Sequence, residues 1–190
     1  MLENFDILHD EIERYDSTRE AVIKKSRDIV KLSKRMIYAV QRGELNLEKL
    51  KKEIKDDLQK LVKLSKTHPS LYYSGSIKIA EQEFVEAICF YEYVKNGQLP
   101  THKDLDIEFE NYLLGICDLT GELSRKAINS AIKEKYSESK KIVEFVAELY
   151  GRLMQFDFQN GEIRRKFDSI KYDLRKLEDL MLELKLKDKI

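Results

Sequence analysis

The stretch "EQEFVEAICFYEYV", residues 81–94, decides how this chain is read. Around it, Ala80, Phe84, Ala87, Ile88, Tyr91 and Val94 recur at three- and four-residue spacing, the mark of one apolar helix face, and Val85 and Cys89 widen that face. Glu83 and Glu86 share a stripe with Ile79, Phe90 and Tyr93. A helix that is apolar nearly all round is buried on several sides. A bare carboxylate there is costly, so these two acids predict compensation by a basic side chain, a retained proton or a metal ion.

Working outward, the same helical period covers the chain. Phe5, Leu8, Ile12, Tyr15, Val22, Ile29, Met36 and Val40 predict one long helix over 3–42, ending at Gly43 and roughly 60 Å long. Asn46 is placed to cap a second helix through Leu50, Ile54, Leu58, Leu61 and Leu64, which stops before His68-Pro69. "SLYYSGS" reads as a loop, 76–95 as the third helix, and "QLPTHKDLD" as another loop. Further helices follow over 108–133, 137–156 (Ile142, Phe145, Val146, Leu149, Leu153) and 161–187 (Ile163, Phe167, Ile170, Leu174, Leu177, Met181, Leu184). No period-two strand, repeat or interdomain linker interrupts them. The expectation is one all-α domain over 1–190, a long antiparallel bundle of about six to seven helices.

Composition agrees. Seven Gly, two Pro and abundant Lys, Glu and Leu favour helices. Lys plus Arg and Asp plus Glu are 35 each, so nucleic acid would have to be held by a local basic patch and not by net charge. Cys89 and Cys117 lie in apolar runs and read as reduced core residues, which predicts a cytoplasmic setting. The three histidines are scattered, and no apolar run is long enough to span a membrane. The N-terminal "MLENFDILHDEIERY" is amphipathic and acidic, unlike a signal or transit peptide.

The fourth predicted helix supplies a second acidic stripe. Asn111, Asp118, Glu122, Arg125 and Asn129 line one side of it, and Gly115 and Gly121 predict close backbone approach. Two readings of the acids stand. Carboxylates without histidine suit a hard cation, Mg2+ or Mn2+, able to activate water at a phosphate. Alternatively they form an ion-pair network, Glu122 with Arg125 and a Glu with a Lys elsewhere. The first helix carries exposed-looking Lys24, Arg27, Lys31, Lys34, Arg35 and Arg42, either a phosphate track or a solvated face. The last helix, with Arg164, Arg165, Lys166, Lys171, Arg175 and Lys176 among acids, reads as solvated or interfacial. Tyr72, Tyr73, Phe90, Tyr91, Tyr93, Phe156 and Phe158 could stack bases, although most fit a core or an interface.

"SRDIVKLSKRMIYAVQR" (26–42), "EQEFVEA" (81–87), "YLLGICDLTGELSRKAINS" (112–130) and "RRKFDSIKYDLRKLEDLMLEL" (164–184) together resemble the translin/TRAX family. The resemblance implies an all-α subunit of about seven helices, octameric barrels, and binding of single-stranded or duplex RNA and of single-stranded DNA. In that family the TRAX subunit is a metal-dependent endoribonuclease. The Glu-x-x-Glu of the third helix and the Asp of "DLTGE" resemble its catalytic branch. By resemblance, Glu83, Glu86 and Asp118 are metal ligands and water activators, with Glu122 a further ligand or support. Lys34, Arg35, Arg125 and Asn129 carry over as RNA contacts, and Lys31 extends the same stripe. The chain ends at Ile190 without the longer tails and insertions of the two-gene partners. That implies a compact homo-oligomer, for which a separate translin-like partner is not required. A binding protein without catalysis is the alternative.

Overall fold

The computed structural model describes residues 3–190, the side chain of Glu3 excepted. Among the described residues there are eight helices and no strand: α1 Glu3–Arg42, α2 Glu48–Ser65, α3 Pro69–Tyr72, α4 Gly75–Asn96, α5 His102–Leu105, α6 Phe109–Ile132, α7 Tyr136–Leu153 and α8 Glu162–Leu186. The fold is all-α, as the periodicity predicts. Contacts gather into two compact units, Met1–Tyr91 and Glu92–Ile190, and the division falls inside α4.

In the first unit α1 and α2 form a hairpin. Gly43 ends α1 at φ 92, a left-handed conformation open to glycine at little cost, and Glu44 N–H donates to the Ala39 carbonyl to close the last turn. Lys25 pairs with Asp57 at 3.6 Å and Tyr15 meets the His68 ring edge-on, so α2 runs back along α1. Ile29, Met36, Val40, Ile54 and Leu61 are sealed from solvent, each worth about 1.5–3 kcal/mol of transfer free energy. The first unit also holds the N-terminal part of α4, where Tyr91 donates to Glu48 (2.7 Å) and to the Leu45 carbonyl (3.1 Å).

In the second unit α6, α7 and α8 pack on one another in an up-down-up order. Leu114, Leu119, Leu123, Val146, Ile170 and Leu177 are fully buried. Tyr93 stacks on Phe145 and Tyr150 on Phe167.

Local details depart from expectation. Asn46 does not cap α2; Leu47 occupies the cap position without a side-chain hydrogen bond. "SLYYSGS" is not all loop, because Pro69 starts the single turn α3 and α4 begins at Gly75. Thr101 and Asp104 form a capping box that winds a turn, α5, within "QLPTHKDLD". Phe5, Leu8 and Ile12, whose spacing predicts the start of the long helix, are exposed because α1 projects beyond the end of α2. Gly121 makes no unusually close approach: a Cβ there would sit 3.7 Å from Asp173, an ordinary contact.

Candidate nucleic-acid and metal-binding residues

On α4, the residues from Phe84 to Tyr91 are all buried except Glu86, which is half-buried. Glu83 is also half-buried; its Oε1 faces Lys34 of α1 at 3.4 Å, and its Oε2 is shut off from solvent. Lys34 is therefore a counter-ion as well as a member of the basic stripe. Deeper than either predicted acid lie Glu81, 4% exposed, and Gln82. Sequence reasoning missed both, although Ile77, Glu81, Phe84, Val85 and Ile88 share helical spacing that faces Glu81 inward. Phe90 and Tyr91 are buried and cannot stack bases, whereas Tyr73 stands in solvent.

On α6, Asp118 lies at the half-buried edge of the helix and accepts a hydrogen bond from Lys166 of α8. Burial raises the Asp118 carboxyl above its usual value; Lys166 opposes this, and the negative charge of Glu162 adds to it. Next to it, burial pushes the Cys117 thiol up to about 12. Glu122 is half-buried and faces Arg125 at 3.8 Å; Arg125 is exposed and Asn129 half-buried. The sequence reading also missed Lys126, which is 8% exposed, 4.0 Å from Glu138, and pushed below the usual lysine range chiefly by burial. Behind α6, Asp173 accepts from Thr120 (3.3 Å) and Lys176 (3.1 Å).

On α1, Lys24, Arg27, Lys31, Lys34, Arg35 and Arg42 are all exposed, opposite the buried Ile29, Ser33, Met36 and Val40. This is a cationic edge of the first unit, interrupted by the exposed Asp28. Among the described residues, one group of three donors lies close enough for a single ion, His9, Asp10 and Glu13 on the exposed first turns of α1. Glu83 and Glu86 lie one turn apart on α4, and Asp118 and Glu122 one turn apart on α6, but none of the four joins a group of three donors of that kind among the described residues; carboxylate oxygens are the donor type that suits a hard cation.

A model of the Translin family matches residues 17–188. The chain belongs to the translin family. The uncharacterized protein MJ0175 of Methanocaldococcus jannaschii is 31% identical over 156 residues, 80% of this chain and 70% of that one. The translin-associated protein X homolog of Schizosaccharomyces pombe is 25% identical, covering 85% of this chain and 78% of its own length. Translin of Gallus gallus is 32% identical over 81 residues, and the match spans only 35% of that protein. Among solved structures, apo-NeC3PO superposes with a TM-score of 0.88 at 30% identity over 96% of this chain and 97% of its own. AfC3PO gives 0.87 at 25% over 97% and 98%. AfC3PO in complex with duplex RNA shares the fold, with a TM-score of 0.79 at 23% over 97% of both chains.

Proposed function

We propose that this translin-family chain is a metal-dependent endoribonuclease that works as a homo-oligomer, octameric by family resemblance, in a cytoplasmic setting. The observation that carries the reading is the pair of half-buried carboxylates Glu83 and Asp118, each on a largely apolar helix and each balanced by one lysine from another helix. The likeness to a translin-associated protein X homolog and to AfC3PO, which has been captured with duplex RNA, supports it.

In this reading Glu83, Glu86 and Asp118, with Glu122, hold Mg2+ or Mn2+. When bound, the ion supplies a water of lowered pKa and offsets charge on the phosphate. Lys31, Lys34, Arg35, Arg125 and Asn129 bind the backbone of single-stranded or duplex RNA, or of single-stranded DNA, by charge and hydrogen bonds, without reading sequence. Hydrolysis adds water to phosphorus and breaks one P–O ester bond, and the departing oxygen takes the proton. Lys34 faces Glu83, and Lys166 balances Asp118, whose charge burial disfavours.

The test is cleavage of a labelled RNA with Mn2+ against EDTA. Wild type should cut only with the metal, and Glu83→Gln should lower the rate by at least about a hundredfold while RNA binding and melting temperature hold. No metal-dependent cleavage by wild type would sink the enzyme reading. A second reading, binding without catalysis, is favoured by the ion pairs themselves. Under it Glu83→Gln lowers stability and changes no rate, because the acid serves to pair Lys34 and not to cut RNA.

A further inference from the structure

The proposed function leaves the first third of α1 without a task. Phe5, Leu8, Ile12 and Tyr15 alternate at three- and four-residue spacing, and Arg19, Val22, Ser26, Ile29, Ser33, Met36 and Val40 continue the series unbroken. That is a seam of the kind that packs on another helix. From Val22 onward every member is buried, while Phe5, Leu8 and Ile12 are 66, 43 and 60% exposed. The cause is length. The α2 helix has 18 residues against 40 in α1, and its far end reaches Tyr15 through His68. Residues 4–14 project beyond it by roughly 16 Å.

Charge changes sign along the same helix. Residues 4–20 hold six acidic and two basic side chains; residues 24–42 hold seven basic and one acidic. Glu13, Asp16, Glu20, Lys24, Arg27, Lys31 and Lys34 succeed one another at three- or four-residue spacing and are all exposed. One face is therefore acidic at one end and basic at the other. A straight helix cannot fold its acidic end back on its own basic part. A second α1 laid antiparallel can meet both needs at once, because a two-fold axis sets each acidic end on the other copy's basic part. At the sign change lies an open hollow of about 440 Å³ lined by Glu20, Ile23, Lys24, Arg27 and Asp28. Ile23 gives it an apolar wall with room for an apolar side chain, and its rim mixes the cations Lys24 and Arg27 with the acids Glu20 and Asp28.

We infer that the acidic first third of α1 docks antiparallel on the basic part of α1 of a second copy of this chain, covering Phe5, Leu8 and Ile12. The inference rests on the self-association in the function proposed above and is independent of catalysis.

Sedimentation velocity without RNA, at about 50 mM and about 500 mM salt, tests it. Wild type should associate more tightly at low salt. Glu13→Lys with Asp16→Lys, and separately Lys24→Glu with Arg27→Glu, should each weaken self-association by at least about tenfold at low salt with helix content unchanged. Mixing the two variants should restore association, since each then meets the opposite charge. Phe5→Ser with Ile12→Ser, at positions outside the folded core, should also weaken association without lowering the melting temperature of the dissociated chain. If wild type associates but both charge variants associate equally well, or the mixture does not restore association, the docking is wrong while self-association stands. A wild type that is monomeric at low salt overturns both.

Discussion

Asp118 shows how a single residue carries both readings. Its carboxyl is pushed up by burial against the pull of Lys166, so the folded chain holds that proton more tightly than the unfolded chain, whose carboxyl titrates near 3.8. The stabilisation this provides is full below the unfolded value and is lost as pH rises through the raised folded value. Asp118→Asn should therefore flatten the dependence of melting temperature on pH in the acid range above the unfolded value of 3.8, measured by thermal melts across a pH series. An unchanged profile would mean that Asp118 titrates as it does in the unfolded chain. The acidic stripes were legible in the sequence because periodicity puts Glu83 and Asp118 on mostly apolar helices. Their counter-ions were not: Lys166 is 48 residues away in the chain. Lys126 escaped notice because lysine reads as a surface residue, yet its spacing from Leu119, Leu123 and Ser130 turns it inward.

At the scale of the element, the long helices were read nearly to their ends because their signals are local. Gly43 and Gly97 stop α1 and α4 at positive φ, and apolar spacing fixes the buried face of α8. The single turns α3 and α5 were missed because four residues carry no period. Gly121 was overread. It lies within α6, where glycine costs about 1 kcal/mol relative to alanine, and the structure leaves room for a methyl beside Asp173. Gly121→Ala should raise stability by about 0.5–1 kcal/mol in urea unfolding; a loss of stability would restore the expectation of a close approach.

At the scale of the whole molecule, the chain is formally neutral, so any salt-sensitive RNA binding must come from a patch. Lys31 and Arg35 probe it more cleanly than Lys34, which also balances Glu83. Lys31→Gln with Arg35→Gln should weaken RNA binding evenly across sequences and reduce the slope of log affinity against log salt by about 1–2, read from a titration at several salt concentrations. An unchanged slope removes α1 from the RNA path. Among the described residues no helix is long and apolar enough to cross a membrane, in line with the sequence. The sequence by itself determined the long helices, most of their buried faces and the family resemblance. Backbone hydrogen bonds in a helix close within one turn, and apolar burial repeats every 3.6 residues. Only the tertiary structure decided that Lys34 faces Glu83, that Lys166 faces Asp118, and that the seam of α1 is covered over one part and bare over the other. Those outcomes depend on which distant segments lie alongside and how far each helix extends, which no local window of sequence contains.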